Sequence, residues 1–147
     1  MFLLFSFGNV PPTEELYKPI RERGYSASAA LEAMDAEGID IAVVFRTFAH
    51  MIVSIDDLPP QLAVACCSAF NDWLSDYCSA DSTRLKPSAI VSLHDPELAA
   101  AEAQRAVLKN NHVGVVLLPM PVNGRYINAA ECDVLWKEVE RLNVPIL

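Results

Sequence analysis

The sequence has no run of Lys or Arg, and its 11 basic residues are outnumbered by 19 acidic ones, for a formal net charge of −8. Such a surface repels a phosphate backbone, which excludes nucleic acid as the expected partner. No stretch reaches the ~18 uninterrupted apolar residues of a membrane span. The opening Met1-Phe2-Leu3-Leu4-Phe5-Ser6-Phe7 is apolar, yet it lacks the basic n-region and the small-residue cleavage site of a signal peptide. A cytoplasmic protein without a membrane partner is the expectation. Glycine is scarce, with 5 in the chain. No GxGxxG, GxxxxGK or GxSxG occurs, so dinucleotide, P-loop and nucleophile-elbow readings lack support. The four cysteines, Cys66, Cys67, Cys78 and Cys132, form no CxxC pair or zinc spacing and read as small packing residues in a reducing compartment.

What is present is apolar material in alternating patterns. A chain of 147 residues with 52% hydrophobic content has the length of one domain and enough side chain for a core. Residues 1–25 read as an irregular segment. From there, Ser26 or Ser28 can cap a helix carrying Leu31 and Met34 on one face, and Gly38 supplies a left-handed end. Residues 39–45, IDIAVVF, are rich in β-branched types, as suits a parallel strand covered on both faces. In the next helix Asp57 is the expected cap, and Leu62, Cys66, Phe70, Trp73, Leu74 and Tyr77 form an apolar stripe. That phase turns Asn71, Asp72, Ser75 and Asp76 toward water.

A second strand is expected over 88–93. "HDPEL" then marks a helix start, with Asp95 as cap and Pro96 at the first helical position of a helix running to Lys109. The third strand is 113–118, VGVVLL, followed by the turn-rich loop PMPVNGRYI. Asn128 and Glu131 resemble a capping box ahead of the stripe Cys132, Leu135, Val139 and Leu142, and Val144 to Leu147 begins a fourth strand. Strand and helix alternating with short connections imply right-handed crossovers and a parallel sheet. The fold class is α/β: either an open doubly wound sheet or part of a (β/α)8 barrel, since a complete barrel needs at least ~200 residues.

In both architectures ligands sit at the carboxyl ends of the strands. Those positions hold Arg46 and Thr47 after the first strand, His94 and Asp95 after the second, and Pro119 through Arg125, with Asn123 among them, after the third. Arg46, Thr47, His94 and Asn123 are the substrate-pocket candidates. Arg46 can clamp a carboxylate, His94 can act as a pocket donor or base, and Asp95 is most simply the helix cap. His50 and His112 read as structural or exposed, because neither pairs with His94 as a metal ligand. No residue of the chain is assigned a catalytic or metal-binding role.

Three stretches, "ALEAMDAEGIDIAVVF", "FNDWLSDYCSADSTRLKPSAIVSLHDPELAAAE" and "VGVVLLPMPVNGRYINAAECDVLWKEVERLNVPIL", resemble the amidohydrolase-2 family. These are the metal-dependent TIM-barrel hydrolases and decarboxylases of the aminocarboxymuconate-semialdehyde decarboxylase-like type. The resemblance implies that residues 26–147 are strands 2 to 5 of a partial TIM barrel, about four parallel strands alternating with helices. It also implies a small carboxylate or aromatic-derived substrate and a divalent metal, zinc in most members, held by an HxH pair, two single histidines and an aspartate. Here MFLLFSFGNV contains no histidine, and the fifth-strand histidine would follow directly after Leu147. The expectation is a piece of an enzyme that is inactive by itself. The alternative is a noncatalytic half-barrel that associates with itself or a partner through exposed sheet edges.

Overall fold

The computed structural model describes residues 13–45 and 49–147. They divide between two compact units, Met1–Asp40 and Ile41–Leu147. The first contains α1 (Thr13–Glu22) and α2 (Ala27–Glu37). Helix α1 falls within the stretch that the sequence left irregular: Pro19 interrupts the pattern of good helix formers, but the turns close around it. The unit boundary after Asp40 likewise comes later than residue 25. Helix α2 has the expected ends, since Ser26 Oγ accepts from the Ala29 N–H at 3.3 Å and Gly38 is left-handed at φ 69°.

The second unit runs β1 (Ala42–Val44), α3 (Ala49–Val53), α4 (Pro60–Cys78), β2 (Leu85–Pro87), β3 (Ala89–Ile90), α5 (Pro96–Asn110), β4 (Val115–Val116) and α6 (Asp133–Leu142). Strands β2 and β3 are one extended stretch separated by Ser88. Its first half pairs in parallel with β1, Ala42 opposite Leu85, and its second half in parallel with β4, Ala89 opposite Val115. The hand-over occurs at Ser88, whose N–H donates to the Val44 carbonyl at 3.2 Å, while the Ala89 N–H donates to Gly114 at 2.9 Å. Val115 then meets Ile146 in a further parallel bridge, with the Leu147 N–H donating to the Val115 carbonyl at 2.9 Å. Neighbours therefore follow chain order. A barrel lays its strands down in this way, whereas a doubly wound sheet reverses direction at a switch point, and no reversal occurs among the described residues.

Side-chain burial corrects the sequence in two elements: β1 is not covered on both faces, since Ile41, Val43 and Phe45 are exposed, and α4 turns a different face inward. Trp73 is 56% and Leu62 50% exposed, and the buried face of α4 is Ala63, Cys67, Asn71, Leu74 and Cys78. The stripe has the expected period but is rotated by about one residue, because Asn71, expected in water, is fully buried. Two caps also differ. Helix α4 starts after Pro59 with no side-chain cap from Asp57, and α6 starts after Cys132 behind a short 3₁₀ turn (Ala130–Cys132), so Asn128 caps nothing. Asp95 does cap α5, its Oδ1 accepting from the Glu97 and Leu98 N–H groups at 2.9 and 3.2 Å. The core joins Val91, Leu93 and Val115 from the strands to Ala99, Ala103, Leu135 and Val139 from α5 and α6. The alanines of α5 allow that helix to lie close to the sheet.

Candidate functional site

At the carboxyl end of β3 the chain continues through Val91, Ser92 and Leu93 to His94, which is 5% exposed. Leu93 and His94 lie in a turn, and the Ser92 hydroxyl accepts from the His94 N–H at 3.4 Å, which folds the ring back toward Ser92. Ser92 Oγ lies 2.5 Å from His94 Nδ1, and His94 Nε2 lies 2.8 Å from the Ile55 carbonyl. A carbonyl only accepts, so Nε2 carries a proton, and in the neutral ring Nδ1 accepts from the Ser92 hydroxyl. Both nitrogens are thereby engaged. His94 joins the carboxyl end of β3 to the loop that follows α3 and has no lone pair left for a metal.

Two further loops converge there. Asn123 and Gly124 have φ of 50° and 71°, and Val122 and Arg125 exchange backbone hydrogen bonds of 3.1 and 2.9 Å. This is the two-residue turn that an Asn-Gly pair favours. The exposed Asn123 donates its N–H to Asp56 Oδ1 at 2.6 Å and accepts at Oδ1 from the Asp57 N–H at 2.7 Å. Asn123, expected as a pocket residue, thus fastens the turn to residues 56–57. Arg46 and Thr47 lie outside the described residues.

Arg125 completes the cluster. Its Nη1 donates to the carbonyls of Leu93 at 2.6 Å and His94 at 3.1 Å. Sequence reasoning reached Arg125 only as the end of a loop; its signal was a lone cation beside a turn at the carboxyl end of a strand. Ser92 carried no comparable signal.

The other polar cluster lies between α4 and α5. Asn71 Nδ2 donates to the Ile90 carbonyl at 3.0 Å and to Glu102 Oε1 at 2.7 Å, and its Oδ1 accepts from the Ile90 N–H at 2.9 Å. Glu102 also accepts from Ser68 Oγ and from Arg105 Nε at 2.6 and 2.8 Å. His112 is buried, and its Nε2 lies 3.1 Å from the Asn71 carbonyl. Burial pushes its pKa down. This network satisfies backbone and charge where the middle of α4 packs against β3 and α5.

The metal implied by the resemblance does not fit these residues. Among the described residues no group of three His, Cys, Asp or Glu is placed to hold an ion. The thiols are equally unsuited, since burial pushes Cys67 up to about 12 and Cys78 to about 11, far from thiolate at neutral pH. No helix among the described residues is long and apolar enough to cross a membrane.

No family model matches the chain. Decarboxylase orsB of Emericella nidulans is 30% identical over 118 residues, covering 79% of this chain and 33% of that protein. The structure of 2,6-dihydroxybenzoate decarboxylase from Rhizobium superposes with a TM-score of 0.70 at 28% identity, over 80% of this chain and 37% of that one. In sequence and in fold the chain is similar to metal-dependent decarboxylases of the amidohydrolase-2 type. It spans about a third of the length of the relatives it matches. A dihydroxybenzoic acid decarboxylase from Polaromonas, solved with manganese and the inhibitor 2-nitroresorcinol, superposes over 95% of this chain and 42% of that one, with a TM-score of 0.73 at 26% identity. A divalent metal thus accompanies the fold in that relative, and there the ion is manganese, where the resemblance implied zinc.

Proposed function

We propose that residues 26–147 are strands 2 to 5, with their helices, of a partial TIM barrel from a metal-dependent, nonoxidative decarboxylase of a small aromatic carboxylate. The observation that carries this reading is the parallel strand order following the chain, in a sequence whose relatives are decarboxylases. On this reading the chain contributes frame and pocket wall, while the metal ligands lie elsewhere in the barrel, so the 147 residues alone are inactive. Arg46, Thr47, His94 and Asn123 remain the pocket-wall candidates. Decarboxylation is preferred over hydrolysis because the named relatives are decarboxylases. Zinc or manganese would supply the Lewis acid of such a barrel. Four free thiols support a reducing, cytoplasmic compartment.

A chimera tests this. Residues 26–147 replace the matching region of the Polaromonas enzyme, and CO2 release from 2,6-dihydroxybenzoate is followed with and without chelator. Chelator-sensitive release is expected. A folded, metal-loaded chimera with no release, or chelator-sensitive release by the 147-residue chain alone, would overturn the reading.

A second reading, a self-associating half-barrel, is favoured by exposed apolar residues along β1, where Ile41, Val43 and Phe45 are 58%, 41% and 48% exposed, and by exposed Ile146 and Leu147. A concentration-independent monomer in sedimentation would eliminate it.

A further inference from the structure

Among the described residues, Arg23, Arg105 and Arg141 each face a carboxylate: Glu32, the pair Asp72 and Glu102, and Glu138. Arg125 has no such partner there. Its hydrogen bonds run from Nη1 to two backbone carbonyls, and its Nε is buried without a partner. In a chain with 19 acidic residues, a half-buried cation facing no carboxylate departs from what composition alone provides. Leaving a buried donor unpaired costs about 1–3 kcal/mol, so such a group in a native fold calls for a reason.

The geometry narrows the reason. A guanidinium is a flat fork of five donors, and two of its N–H groups on one edge match the two oxygens of a carboxylate. With Nη1 held by the Leu93 and His94 carbonyls, the edge formed by Nε and Nη2 is the one left. The arginine projects from a tight turn whose two central residues, Asn123 and Gly124, have positive φ and which Asp56 and Asp57 fasten from the side. It stands at the carboxyl end of parallel strands, where this architecture binds its ligands. We propose that Arg125 is the anchor for the carboxylate of a small ligand, engaged through its Nε and Nη2 edge. The aromatic character of that ligand rests on the decarboxylase reading; the carboxylate anchor rests on Arg125 itself. Because Nε is shielded from water, occupation requires a local shift of the 122–125 turn.

The Arg125 Nε–H resonance of the 147-residue chain reports this directly in ¹H–¹⁵N spectra, with Arg125→Lys supplying its assignment. The chain is titrated with sodium benzoate, with the neutral isostere benzamide, with sodium acetate, and with sodium chloride at matched ionic strength. A saturable shift of the Nε–H with benzoate but not with benzamide or chloride is expected. Arg125→Lys, which keeps the charge and loses the edge, is expected to weaken benzoate binding at least tenfold, read at the Leu93 and His94 amides. Acetate shifting the resonance as well as benzoate does would support the anchor and remove the case for an aromatic ring. An unmoved resonance, an equal response to benzamide or chloride, or unchanged binding in Arg125→Lys would overturn the proposal. The chimera's activity is read separately, so loss of the anchor and loss of the decarboxylase reading are distinguishable.

Discussion

Replacing Asn71 with alanine removes the side chain that satisfies both backbone groups of Ile90. The wild-type amide satisfies the Ile90 N–H and carbonyl at 2.9 and 3.0 Å and donates to the Glu102 carboxylate at 2.7 Å, with Asn71 and Glu102 both essentially removed from water. A neutral hydrogen bond contributes about 1 kcal/mol net and one to a charged group about 1.5–3 kcal/mol. Two of the first kind and one of the second come to about 4 kcal/mol, less whatever a water entering the gap restores. Against a total stability of ~5–15 kcal/mol for a domain this is a large fraction. With an m-value of ~2 kcal/mol/M, the urea midpoint should fall by roughly 2 M. Asn71→Asp, nearly isosteric, replaces the donor with an acceptor facing Glu102 and should be at least as damaging near neutral pH. A loss below about 1 kcal/mol for the alanine variant, or a wild-type midpoint for the aspartate one, would refute the assigned role of the amide.

Three further outcomes follow from single residues. A Cβ on Gly114 would stand 2.6 Å from Leu147 Cδ1 and 3.2 Å from the Pro145 carbonyl; Gly114→Ala should therefore cost about 1 kcal/mol, within the range of mild overpacking, and speed amide exchange at Leu147, which unaltered exchange would contradict. Burial holds the His112 pKa below its ordinary 6.5. The folded state then binds fewer protons than the unfolded state, so stability is complete above the ordinary value and falls as pH drops through the folded one; His112→Gln should flatten that decline in urea titrations carried to acid pH, and an identical slope would reject the assignment. Of the four thiols only Cys66 is partly exposed, while Cys67, Cys78 and Cys132 are buried; iodoacetamide should label the native chain once, at Cys66, and equal labelling of Cys67 by mass spectrometry would contradict the packing of α4.

Much of this frame was legible because local chemistry agrees with it. Ser26, Gly38 and Asp95 mark helix ends through groups they satisfy themselves, and strands form within the runs 39–45, 88–93 and 113–118, whereas Leu85–Pro87, which pairs with β1, begins ahead of the expected 88–93. The phase of α4 was not legible. Ala63, Cys67 and Cys78 are small, Trp73 and Leu62 are large, and a hydrophobicity count prefers the large ones; the actual phase is set by Asn71 meeting backbone groups of Ile90, a partner 19 residues away. The hydrogen-bond partners of the residues at the strand ends were not legible. The His94 ring meets Ser92 and Ile55, Asn123 ties its turn to Asp56 and Asp57, and the buried Nε of Arg125 lacks a partner, all through contacts between residues far apart in sequence or in local turns.

The functional reading depends most on the strands lying side by side in chain order. Interstrand NOEs in a uniformly labelled sample test that order directly. The account predicts contacts of Ala42 with Leu85, Ala89 with Val115, and Val115 with Ile146, all in parallel register. Contacts of residues 42–44 with 113–116 in place of 85–87 would place a switch point in the sheet and contradict the barrel.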